Sequence, residues 1–157
     1  MAIQRVGHVV LKMRDLEKAK QFYHGVLGMK IGKELPWGIF FRFNDYHHDI
    51  AVFKTAPDAD LPKKEQVGLV HVALVADSVQ TVRQMYDRCK AQGVEIVGTT
   101  DHKITKSLYV KDPEGNTIEI YAEVPEYNWR EEGMGGMAHP FDIEAVPASV
   151  EAAIANA

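Results

Sequence analysis

The chain carries one pattern twice, and that repetition limits its fold more than any other feature. Gly7-His8-Val9-Val10-Leu11-Lys12-Met13 runs into Arg14-Asp15, and Val70-His71-Val72-Ala73-Leu74-Val75-Ala76 runs into Asp77-Ser78. A shift of 63 positions places His8 on His71, Leu11 on Leu74 and Tyr23 on Tyr86. The identities are sparse, but the order of elements agrees. Each copy opens with strand-like alternation. His8, Val10 and Lys12 share one face and Val9, Leu11 and Met13 the other; His71, Ala73 and Val75 oppose Val72, Leu74 and Ala76.

A helix is expected after each of these strands. Asp15 caps the first, whose apolar stripe is Leu16, Ala19, Phe22 and Tyr23 and whose end falls near His24-Gly25. Asp77 or Ser78 caps the second, with a stripe of Val79, Val82, Met85, Tyr86 and Cys89 and a stop at Gly93. Three strands follow in each copy. They are Met29 to Ile31, Gly38 to Phe43 and His48 to Phe53 in the first, then Val94 to Val97, Ser107 to Val110 and Thr117 to Tyr121 in the second. Asp112-Pro113-Glu114-Gly115-Asn116 is a strong turn signal between the last two.

Each copy therefore reads as βαβββ, and neither alone buries enough apolar surface to be stable. The expected class is α+β: a single domain over 1–124 made of paired βαβββ modules at about 4–55 and 67–124, joined by a polar linker at 56–66. Residues 125–157 form a C-terminal extension with Trp129, a flexible Gly133-Met134-Gly135-Gly136-Met137 run and a short helix from Ala148 to Ala155. The extension wraps the core, covers a cleft or docks on a partner subunit; the sequence leaves all three open.

Composition excludes several roles. Eighteen basic against 22 acidic residues give a net charge of -4, so no broad positive surface awaits nucleic acid or an anionic membrane. No apolar run approaches the roughly 18 residues that a membrane span needs. The lone cysteine, Cys89, precludes an internal disulfide and lies on an apolar helix stripe, as a core thiol does. With no secretory pattern at the N-terminus, a cytoplasmic protein is expected. The Gly133–Met137 run lacks the setting of a dinucleotide or phosphate loop.

The chemistry lies in the paired histidines. Two neutral imidazoles and a carboxylate suit Fe(II), Mn(II), Zn(II) and similar ions. Glu119 interrupts the apolar strand Thr117-Ile118-Glu119-Ile120-Tyr121, and burying it unpaired would be costly unless a metal compensated. Taken singly, each of these residues also reads as an ordinary polar contact or part of a solvated face.

With these motifs the chain resembles the vicinal oxygen chelate superfamily over about residues 4–124. That group includes glyoxalases, bleomycin-resistance proteins and type I extradiol dioxygenases. The likeness rests on Gly7 to Leu11, on Phe22-Tyr23-His24-Gly25-Val26-Leu27-Gly28-Met29, on Val70 to Leu74 and on Ser107 to Tyr121. It implies metal ligands at His8, His71 and Glu119. A glyoxalase-like site often adds a fourth ligand on the matching strand of the first module, where His48 stands after His47.

The chain looks most like small single-domain extradiol dioxygenases. That resemblance implies Fe(II), with Mn(II), Ni(II), Zn(II) or Co(II) as alternatives, acting on a small aromatic diol and O2 in an oligomer, a dimer or larger. It assigns His48 to proton transfer and oxygen activation, and Tyr109 and His102 to substrate orientation and proton movement. His102 precedes Tyr109 by seven positions where longer relatives have nine, and Thr100 occupies the nine-residue position. A glyoxalase-like lyase or isomerase and a non-enzymatic binding or resistance protein are the alternatives. Trp129, Met134, Met137 and Phe141 either close an aromatic pocket or pack as tail or dimer contacts.

Overall fold

The computed structural model describes residues 2–63, 65–135 and 137–148. It divides into two compact units, Met1–Gly68 with Asp112–Gly115, and Leu69–Lys111 with Asn116–Ala157. Each has the βαβββ order expected of an α+β fold. Within the second unit the part of the expected short helix after Ala148 lies outside the described residues.

In the first unit β1 (Val9–Met13) leads into α1 (Leu16–Ala19). Asp15 caps α1 by accepting hydrogen bonds from the backbone N–H groups of Glu17 and Lys18 at 2.9 and 3.2 Å. The helix then widens into a π-helix, Lys20–Val26, and so runs past the stop expected at His24-Gly25. Gly28 ends it instead, with a φ of 76° that L side chains avoid. The wider turn buries Phe22, Tyr23 and Val26 together.

The sheet has the order β1-β4-β3-β2, with β2 at Lys30–Leu35, β3 at Gly38–Arg42 and β4 at Ile50–Lys54. β1 and β4 are parallel, and the other pairs antiparallel. Met13, Tyr23, Met29, Ile39, Phe41 and Val52 are fully buried between sheet and helix. The turn Asp112–Gly115 is part of this unit. The Tyr23 hydroxyl donates to Asp112 Oδ2 at 2.9 Å, and Arg14 Nε donates to Glu114 Oε2 at 2.7 Å.

The second unit repeats the plan: β5 (Val72–Val75), α2 (Val79–Ala91), β6 (Ile96–Asp101), β7 (Thr105–Lys111) and β8 (Thr117–Glu123). Ser78 caps α2, and Gly93 follows it with a φ of 68°. The C-terminal extension adds a four-residue α3 (Trp129–Glu132) and a two-residue β9 (His139–Pro140), giving the order β5-β8-β7-β6-β9. Its Gly135 is not slack chain. A Cβ there would sit 2.5 Å from the His102 carbonyl oxygen, at a φ of 72°. Farther on, Arg83 of α2 donates to the carbonyls of Ile143, Glu144 and Val146 and so fastens the extension to the helix. No helix among the described residues is long and apolar enough to cross a membrane.

Candidate metal and substrate site

Glu119 sits in the middle of β8 and is only 7% exposed. The ladder sets its neighbours. Ala73 of β5 is its parallel partner and Tyr109 of β7 its antiparallel partner. The Tyr109 hydroxyl donates to Glu119 Oε1 at 2.8 Å, and His71, one residue ahead of β5, brings Nε2 to 3.0 Å from Glu119 Oε2. His102 Nε2 lies 3.0 Å from the same Tyr109 oxygen.

The phenol has one proton, and the carboxylate accepts it. His102 Nε2 must therefore donate to the phenolic oxygen, which fixes its tautomer. Burial, then the hydrogen bond and charge of Glu119, push the Tyr109 phenol up to about 12. It is a protonated donor throughout the physiological range.

The short spacing of His102 is met by a tight hairpin. β6 runs on to Asp101, and His102 N–H donates to the Thr105 carbonyl at 2.9 Å. Only Lys103 and Ile104 remain in the turn, with Lys103 at a φ of 68° and its N–H on Asp101 Oδ1 at 2.7 Å. Thr100, at the nine-residue spacing, is paired with Ser107 in the ladder.

The other named histidines belong to the first unit. His8 is exposed and stands one residue before β1, and His48 stands two residues before β4, so neither lies within its expected strand. Their rings are 4.3 Å apart. His47 Nδ1 and His48 Nδ1 approach to 2.6 Å, a contact that needs one shared proton, and Tyr46 stacks on His47 at 4.1 Å. Burial first, then positive charge on His8 and His47, lowers the His48 pKa below the ordinary imidazole value.

The structure thus brings His71, Glu119, Tyr109 and His102 together in one unit and His8 with His48 in the other. Among the described residues no group of three or more His, Cys, Asp or Glu side chains is gathered closely enough to hold a metal ion. The His71–Glu119 pair nevertheless fits a divalent ion. It offers one imidazole nitrogen and one buried carboxylate, and their mutual contact is one that an ion would replace. At the ladder position matching Glu119, the first unit has Ala51. Val9 pairs with Ile50 and Val10 with Ala51, as Val72 pairs with Ile118 and Ala73 with Glu119.

A cavity of about 720 Å³ opens over Glu119 and Ala73 and runs to Trp129, Arg130 and Met134. The extension covers a cleft within its own unit. Of the four residues for which the sequence leaves pocket or packing open, Trp129 and Met134 line it. Met137 and Phe141 do not line this cavity; Met137 is 65% exposed and Phe141 lies 5.5 Å from the Lys106 ammonium. Sequence reasoning missed Tyr127 and Arg130 in the wall, because α3 is too short to show periodicity.

The family model of the Glyoxalase/Bleomycin resistance protein/Dioxygenase superfamily matches residues 5–120. The chain belongs to this superfamily. Among curated relatives, Biphenyl-2,3-diol 1,2-dioxygenase 3 of Rhodococcus globerulus is 32% identical over 118 residues, covering 74% of this chain and 62% of that protein. The chain therefore spans less than two thirds of that relative's length. Lactoylglutathione lyase of Neisseria meningitidis serogroup B is 32% identical over 125 residues, covering 74% of this chain and 88% of that protein. A solved glyoxylase/bleomycin resistance protein/dioxygenase domain from Frankia sp. EAN1pec aligns with a TM-score of 0.67 at 18% identity, over 83% of this chain and 99% of that one, a likeness of fold.

Proposed function

We propose that the chain is a metal-dependent extradiol dioxygenase that opens the ring of a catechol-type diol with O2. His8, His71 and Glu119 are the proposed ligands, and Fe(II) the proposed ion. The observation that carries the reading is the run His102–Tyr109–Glu119, with contacts of 3.0 and 2.8 Å. It puts a persistent proton donor and an imidazole beside the proposed carboxylate ligand, where a diol oxygen must be oriented.

When bound, the ion supplies Lewis acidity that makes a chelated hydroxyl more acidic. The remaining work belongs to side chains. Tyr109 holds its proton at the phenolic oxygen and orients the ligand. His102 holds Tyr109 in place through Nε2–H. His48, with its lowered pKa, is neutral at pH 7 and accepts a proton.

The experiment is anaerobic loading with one Fe(II) per chain, followed by catechol and O2. Catechol-dependent O2 uptake with a yellow muconic semialdehyde-type product is expected. No uptake by the fully loaded protein across a range of catechols refutes the reading. A glyoxalase-like lyase or isomerase is the second reading, favoured by the match along 88% of the Neisseria lyase. It predicts turnover without O2 and with an ion other than iron. Stoichiometric ligand binding with no turnover under either condition points to a binding or resistance protein.

A further inference from the structure

The far wall of the Glu119 cavity carries an uncommitted cation. Among the described residues Arg130 is the only basic side chain lining the cavity, and its guanidinium lies 4.5 Å over the Trp129 ring. Among the described residues it has no carboxylate partner. A guanidinium laid on an aromatic face is held flat, with its N–H edges free for a planar oxyanion.

The wall is also fixed in place. The Tyr127 hydroxyl donates to the Gly133 carbonyl at 3.1 Å across α3, and Gly135 is wedged against the His102 backbone. Glu123 lines the same cavity from β8, the strand that carries Glu119. Of the charged side chains that line the cavity, Glu119 and Glu123 stand on β8 and Arg130 on α3.

We propose that Trp129 and Arg130 form a subsite for a carboxylate borne by the substrate, so that the preferred ligand is an aromatic diol with an anionic substituent. The diol end rests on the function proposed above; the carboxylate end rests on Arg130 alone. The carboxylate takes a bidentate pair of hydrogen bonds from the guanidinium. The substituent reaches toward Trp129 while the ring stays over Glu119.

The test measures binding calorimetrically under anaerobic conditions. The full chain and its Arg130→Gln and Arg130→Lys variants are titrated with 3,4-dihydroxyphenylacetate, 4-ethylcatechol, dopamine and phenylacetate. The wild type is expected to bind the anionic diol at least ten-fold more tightly than the neutral or cationic one. Arg130→Gln is expected to abolish that ratio and Arg130→Lys to restore part of it. Equal affinities, an unchanged ratio in Arg130→Gln, or a preference for dopamine overturns the proposal; the last assigns selection to Glu123 instead. In a separate assay the Fe(II)-loaded chain is given O2 with each diol: Arg130-dependent binding of phenylacetate with no cleavage of any diol keeps the subsite and removes the dioxygenase reading. Cleavage of 4-ethylcatechol with no charge preference does the reverse.

Discussion

Replacing Tyr109 with Phe removes one oxygen atom and two contacts, the 2.8 Å bond to Glu119 and the 3.0 Å bond from His102. A hydrogen bond to a carboxylate contributes about 1.5–3 kcal/mol net. Tyr109 is half-buried, which places its loss near the low end, about 1.5–2 kcal/mol. For a chain of this size that is a fall in Tm of about 3–8 °C. The pH dependence sharpens the test. The folded phenol titrates at about 12, above its ordinary value of 10.0, so the neutral form is the one that folding favours. Its contribution is complete below pH 10 and lost as pH rises toward 12. The wild type should therefore lose its advantage over Tyr109→Phe across that window, as read by urea unfolding of the metal-free protein. In the loaded enzyme kcat should fall about a hundred-fold or more, in line with loss of a positioned proton donor. A stability change under about 0.5 kcal/mol, flat between pH 8 and 12 and with kcat intact, would refute the chain of contacts.

Three further outcomes follow from other contacts. Tyr23→Phe deletes a hydrogen bond between a fully buried hydroxyl and the 4%-exposed Asp112. It should cost about 2–3 kcal/mol, visible as a drop in Tm. Arg83→Gln strips the carbonyls of Ile143, Glu144 and Val146 of their shared donor, and amide hydrogen exchange over 143–146 should quicken while α2 stays protected. Because the His48 pKa is lowered, its neutral form persists below the ordinary imidazole range; the acid limb of kcat should lie below pH 6.5 and vanish in His48→Gln.

Much of this was legible in the sequence for a simple reason. Tyr109 is named by the family resemblance, and the β7–β8 register about the Asp112–Asn116 turn then makes it the direct partner of Glu119 ten positions on. The parallel β5–β8 ladder pairs Ala73 with Glu119, and His71, two residues before Ala73 on the same face by the period-two alternation, makes the 3.0 Å contact to it. His102 was harder, because Lys103 takes a left-handed turn without the glycine or asparagine that usually announces one. The end of the first helix was misplaced because Gly25 sits inside the π-helix and Gly28 supplies the stop. The Trp129–Arg130 wall was invisible as a wall. Its position depends on long-range anchors such as Gly135 against His102, which have no local periodicity.

The contrast between Ala51 and Glu119 bears on how such a chain diversifies. Two copies of one scaffold present the same ladder position, one filled by a fully buried methyl group and the other by a carboxylate. A buried carboxylate strains the half that holds it, whereas alanine adds cohesion at no electrostatic cost. Duplication thus lets one half drift toward robustness while the other keeps a demanding group. At this one ladder position, then, substitution should alter reactivity in the second half, at Glu119, and only folding in the first, at the fully buried Ala51.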